Sequence, residues 1–96
     1  MRRLESVPFR TEEVRWRLVE GEVVLIDTDE GELVRFNEIG SQIWQAIDGR
    51  STVAQIVDHI CESFDVGRRR ARKDVTRFLR QLQRQELIQG REGGSI

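Results

Sequence analysis

Around Phe36-Asn37 the hydrophobic pattern of the chain changes period, and it does not change back. Before this point, short apolar runs alternate with polar residues one by one. After it, apolar residues recur every third or fourth position. Alternation over four to eight residues marks a half-buried strand, and 3.6-residue spacing marks a helix with one buried face. A chain of this order has few solutions. The economical one is a small antiparallel meander with one face covered by the helices that follow.

Val14, Trp16 and Leu18 alternate with Arg15, Arg17 and Val19, which is strand period, and Gly21 then punctuates. Glu22–Thr28 is rich in β-branched residues, and Asp29-Glu30-Gly31 reads as a turn. Glu32–Phe36 is the third strand. Asn37 is a good N-cap for a helix from about Glu38 to Ile47, in which Ile39, Ile43, Trp44 and Ile47 share a face. Thr52-Val53-Ala54-Gln55 has capping-box form and opens a second helix with Val53, Ile56, Val57 and Ile60 buried. Asp65-Val66-Gly67 breaks the chain, and a third helix runs from about Arg68 to Gln85. Its stripe is Ala71, Val75, Phe78 and Leu82. Leu79 widens that stripe on the flank that carries Arg72, Thr76 and Gln83. Asp74, Gln81 and Gln85 occupy the other flank.

These elements predict an α+β fold: a three-stranded antiparallel sheet followed by three helices, in one domain over residues 14–88. Residues 1–13 contain the sole proline, Pro8, and no clear period, so a flexible arm is expected; residues 89–96 read as a flexible tail.

A chain of 96 residues buries about 60–65% of the surface its unfolded form exposes, which allows one compact core but no deep enclosed active site. No apolar run approaches a membrane span, and Met1-Arg2-Arg3-Leu4-Glu5 lacks the apolar segment of a signal peptide, so a cytoplasmic protein is expected. Cys61 is the only cysteine and His59 the only histidine. Two residues apart on a helix, they point to different faces. No paired carboxylates, phosphate loop or nucleophile elbow occurs, so neither catalysis nor a cofactor is expected.

Charge is unevenly placed. Residues 1–65 carry 14 acidic and 7 basic side chains, and residues 66–96 carry 3 acidic and 9 basic ones. Arg68-Arg69-Arg70-Ala71-Arg72-Lys73 sets five cations at the start of the third helix, against its dipole. Either the run is simply solvated, or it meets an anionic partner.

The ordered set Phe36-Asn37-Glu38-Ile39-Gly40, Ile43-Trp44, Asp48-Gly49-Arg50-Ser51-Thr52, Phe64-Asp65-Val66, Asp74-Val75-X-X-Phe78-Leu79-X-X-Leu82 and Leu87-Ile88 resembles the PqqD-like family, also called RiPP recognition elements. The likeness spans about Trp16 to Ile88; Phe36 stands where leucine is usual. The resemblance implies a winged-helix-like domain that binds the leader of a ribosomally made, post-translationally modified peptide. In that family the leader adds antiparallel to the third strand, in a cleft beside the third helix. Some small members serve lasso-peptide pathways as the split-off N-terminal part of the B protein, beside a leader peptidase. Others serve radical-SAM enzymes, as in quinone-cofactor synthesis.

Carried onto this chain, the expected leader-binding residues are Glu32, Leu33, Val34, Arg35 and Phe36 on the strand and Arg68, Arg72, Val75, Thr76 and Leu79 on the helix. Val34 and Phe36 are assigned to the core, Leu33 and Arg35 to the opposite face. Leu79 beside Val75 is the expected floor of the groove. The expected partners are a precursor leader and its maturation enzyme, with no membrane. The rival reading is a DNA-binding winged helix. The acidic hairpin, with Glu20, Glu22, Asp27, Asp29, Glu30 and Glu32, argues against it, because phosphates would be repelled.

Overall fold

The elements follow in the order β1 (Pro8–Arg10), β2 (Arg15–Val19), β3 (Glu22–Asp27), β4 (Glu32–Arg35), α1 (Glu38–Ala46), α2 (Val53–Phe64), α3 (Arg68–Arg84) and β5 (Ile88–Gly90). This is a computed structural model, and it describes residues 6–27 and 31–90. Most of the turn expected at Asp29-Glu30-Gly31 lies outside the described residues.

The register of the main sheet starts at the two-residue loop Glu20-Gly21, where both residues have positive φ (53° and 84°). That is the signature of a type I′ turn, whose twist matches a tight hairpin. It pairs Val19 with Glu22, and the ladder runs from there to Arg15 opposite Ile26. β4 pairs antiparallel with the other side of β3, Val24 opposite Arg35 and Asp27 opposite Glu32. The strand order is therefore β2-β3-β4, with β4 at an edge. Three antiparallel strands followed by three helices is the order the hydrophobic periods predict.

One face of the sheet carries Trp16, Val23, Leu25 and Phe36 and is covered by the helices. Together with Ile43, Trp44, Ile47, Ile56, Ile60, Val75 and Leu79 these residues form the core. On the opposite face Arg17, Val24 and Arg35 lie in one row across the strands. Val24, between them on the central strand, is nonetheless buried. Arg35 Nη1 also reaches Glu22 Oε1 at 3.1 Å on this face.

Ser41 joins sheet to helix. It is fully buried on α1, where its Oγ accepts the Val23 N–H at 2.8 Å and donates to the Phe36 carbonyl at 3.3 Å. The hydroxyl thus sits inside the last rung between β3 and the chain leaving β4, whose other bond, Phe36 N–H to Val23 O, is made directly at 2.9 Å. Asn37 caps α1 as predicted, its Oδ1 accepting the Gly40 N–H at 2.8 Å. Thr52 and Gln55 form the reciprocal capping box of α2. In the connection between these helices, Asp48 Oδ1 accepts the N–H groups of Arg50 and Ser51, both at 2.8 Å. Those amides hold its carboxyl below the usual aspartate range.

α3 differs from the other two helices. Gly67 at its N-cap makes no side-chain cap, and its first turn holds no acidic residue. Arg68, Arg69 and Arg70 stand there instead, each opposing the dipole by about 0.3–1 kcal/mol when exposed. Further along, Arg69/Lys73, Lys73/Arg77 and Arg80/Arg84 are like-charged pairs four residues apart, each unfavourable by about 0.2–0.5 kcal/mol. The helix is held by its buried stripe of Ala71, Val75, Leu79 and Leu82, not by its surface.

The N-terminal and C-terminal segments depart from expectation. Residues 8–10, expected in a flexible arm, are β1, and residues 88–90 are β5. The two pair antiparallel with Pro8 opposite Gly90 and Arg10 opposite Ile88. The Ser6 carbonyl accepts the Val53 N–H at the start of α2 at 2.9 Å, and the Thr11 N–H donates to the Leu87 carbonyl at 3.0 Å. The Arg10 guanidinium lies 4.9 Å from the Trp16 ring centroid and 5.8 Å from that of Trp44. Runs of three residues are too short to show a period, which is why the sequence hid this second sheet. No helix among the described residues is long and apolar enough to cross a membrane.

Candidate functional site

β4 has one partner, β3, and among the described residues no strand lies along its other side. The direction of its backbone groups follows from the register. Phe36 N–H points to β3, so by the alternation of an antiparallel ladder the N–H and C=O groups of Val34 and Glu32 do too. Those of Leu33 and Arg35 then point outward. Two donors and two acceptors line the open edge.

All four residues of β4 are exposed. Leu33, at 70% exposure, projects from the face away from the core. Val34 shares the core-side face with Leu25 but is 43% exposed. This corrects its expected place in the core: it sits on the correct side of the strand, at an edge no helix covers. Phe36 is buried, as predicted.

Beside the end of β4 lies a cleft of about 380 Å³. Its floor is apolar, made by Phe36, Ile39, Ile43 and Phe78, and its rim is polar, with Arg35, Asp74, Arg77 and Gln81. Phe36 and Phe78 meet edge to face, their centroids 5.1 Å apart. Gly40 permits that approach. A Cβ there would lie 3.2 Å from Phe78 Cζ and 3.1 Å from Asn37 Oδ1, tighter than ordinary contact. A glycine inside an amphipathic helix is the sequence signal that marks α1 as the place where α3 comes close.

The expected helix residues are not at this cleft. Val75 and Leu79 are wholly buried in the core, so Leu79 is not the floor of a groove. Arg68 bonds Asp58 on α2, and that carboxylate raises its guanidinium pKa further above the ordinary value. Arg72 and Thr76 line a separate groove on the outer face of α3. The flank that borders β4 is the other one, carrying Asp74, Phe78 and Gln81. Around Val75, Leu79 and Phe78 lie on opposite sides at about 40° and 60°, and a helical wheel does not say which side meets the sheet.

Nothing at this cleft resembles a reaction centre. Asp74 is its one carboxylate, and no histidine, cysteine or hydroxyl nucleophile lines it. His59 Nε2 lies 3.3 Å from Gln42 Oε1, away from the cleft, and Cys61 is a half-buried free thiol on the same helix. No group of three potential metal ligands occurs among the described residues.

Residues 22–88, from the start of β3 to the start of β5, match the family model described as coenzyme PQQ synthesis protein D (PqqD). The chain belongs to the PqqD family. No curated protein matches it significantly. Among solved structures, this PqqD-family chain is similar to TbiB1 in complex with the TbiA(beta) leader peptide. The two share 30% sequence identity and a TM-score of 0.77, over 92% of this chain and 99% of that one. The family match takes in both β4 and the cleft-facing flank of α3, and the structural likeness extends over nearly the whole chain.

Proposed function

We propose that this protein captures the leader of a ribosomally made precursor peptide as an added strand on β4 and presents it to a maturation enzyme. The observation that carries this reading is the unpaired outer edge of β4 beside an apolar-floored cleft. Main-chain bonds to an added strand supply register, and pockets for alternate side chains supply choice. The likeness to TbiB1, whose solved structure holds a leader peptide, supports it.

The magnitudes indicate what the leader must contain. Four outward groups offer about four hydrogen bonds of roughly 0.5–1.5 kcal/mol each. Ordering a flexible peptide takes back about 2–5 kcal/mol. Backbone pairing alone therefore comes out near zero, and micromolar binding needs about −8 kcal/mol. Apolar side chains buried on Phe36, Ile39, Phe78 and Val34, at about 1.5–3 kcal/mol each, make up the difference. The leader carries about three or four such anchors.

The protein is not itself the catalyst in this reading. Holding the leader raises the local concentration of the attached core peptide at the enzyme, in the cytoplasm where the precursor is made. The enzyme we favour is a leader peptidase of the lasso-peptide type, on the family resemblance. The family description, coenzyme PQQ synthesis, favours a second reading, a radical-SAM partner. Co-purification with each enzyme type encoded beside the gene separates the two. Strand addition itself is tested by amide exchange on the complex with the neighbouring precursor's leader. The Leu33 and Arg35 amides gain protection, while that of Val34, already paired, changes little. Binding without new protection at Leu33 and Arg35 would falsify strand addition.

A further inference from the structure

The outer face of α3 is not used by the fold. Arg69, Lys73, Arg77, Arg80 and Arg84 follow one another three or four residues apart along it, with Arg72 beside them. Among the described residues none of these has an ion-pair partner; Asp74, the acid on this helix, faces Arg70 at 3.6 Å. They border an open groove of about 560 Å³. Arg77 and Gln81 line both this groove and the cleft beside β4, so the two adjoin along these side chains. A peptide leaving the cleft over Arg77 runs directly onto the cationic face.

We infer that this face binds a carboxylate-rich segment of the same peptide whose apolar part adds to β4. The inference rests on the strand-addition reading and deepens it, by giving the captured peptide a second, acidic half. From Arg69 to Arg84 the helix rises about 23 Å. An extended chain covers that in about seven residues. Charge complementarity selects Asp and Glu there, and bidentate arginine–carboxylate pairing suits a row of guanidinium groups. A peptide fits better than a long polyanion, because the face is one helix wide and the described surface elsewhere bears Glu12, Glu13, Glu20, Glu22, Glu32 and Glu38. Phosphates spread over a duplex would meet those carboxylates.

The test is selection from an mRNA-displayed library of random 20-residue peptides. It is run on the full chain and on the variant Arg69→Gln/Lys73→Gln/Arg80→Gln/Arg84→Gln, which leaves β4 and the cleft lining untouched. Thermal melting establishes that the variant is folded, and Lys73→Gln/Arg80→Gln replaces it should it not be. The parent is expected to select an alternating apolar segment flanked on one side by three or more Asp or Glu. Synthetic peptides of that form are expected to bind the variant at least tenfold more weakly, and to weaken likewise between 50 and 500 mM salt. An apolar segment selected without an acidic flank overturns this inference and leaves strand addition standing. A pool with neither feature removes the proposed function as well. Acidic enrichment that survives in the variant overturns the assignment to this face. So does a random 20-base-pair duplex that binds the face more tightly than the selected peptides, since it assigns the cations to nucleic acid.

Discussion

Replacing Leu33 by proline deletes one outward N–H from β4 while leaving each bond between β4 and β3 in place. Leu33 is 70% exposed, so little buried surface is lost. Proline is tolerated on an edge strand when its missing N–H faces outward. The fold should therefore change by less than about 1 kcal/mol, or about 4–8 °C in Tm for a domain of this size. Binding should change more. The leader carbonyl that would accept from Leu33 is left without a donor inside a partly dehydrated interface, at about 1–3 kcal/mol. That corresponds to a Kd raised about 5- to 150-fold. Calorimetry with a synthetic leader from the neighbouring precursor reads the change directly. Val34→Pro is the control. The same substitution one residue on removes an N–H that points to β3, so it destabilises the fold itself. A folded Leu33→Pro variant that binds within twofold of the parent refutes the backbone orientation argued here, and with it the pairing of a guest on that side.

Three further outcomes follow from local geometry. Ser41→Ala leaves the Val23 N–H without its acceptor and the Phe36 carbonyl one donor short, both at a buried rung, and should lower stability by about 2–4 kcal/mol in urea denaturation. Glu20→Asn replaces a residue strained at φ 53° by one that favours the type I′ turn, and should raise stability by about 0.5–1 kcal/mol by the same measurement. Asp48 has a folded-state pKa below its ordinary 3.8, so its contribution is fully present above that value and is lost as pH falls through the lower folded one. The urea midpoints of the parent and Asp48→Asn should accordingly differ near pH 6 and draw together as pH falls below 3.8.

The parts of this protein that were legible in the sequence are those set by neighbours along the chain. Strand alternation, the stripes of α1 and α2, the Asn37 cap and the Thr52/Gln55 capping box each depend on residues within about four positions, and each appears in the structure where predicted. In α3 the buried stripe takes Leu79 in place of the expected Phe78, which is only partly buried. The face a side chain takes within its own element was also legible, as Val34 shows: it lies on the core side of β4. Whether anything covers that face was not legible, because cover is supplied by a distant element.

Tertiary structure alone decided three things. It chose the flank of α3 that meets the sheet, since a stripe centred on Val75 is nearly symmetric on a wheel and the packing of whole helices breaks the tie. It paired residues 8–10 with residues 88–90, a contact across some 80 residues between runs too short to carry a period. Among the described residues it also left the outer side of β4 open, because the order of strands in a sheet depends on which edges the chain returns to, and the strand that follows the helices, β5, pairs with β1 instead.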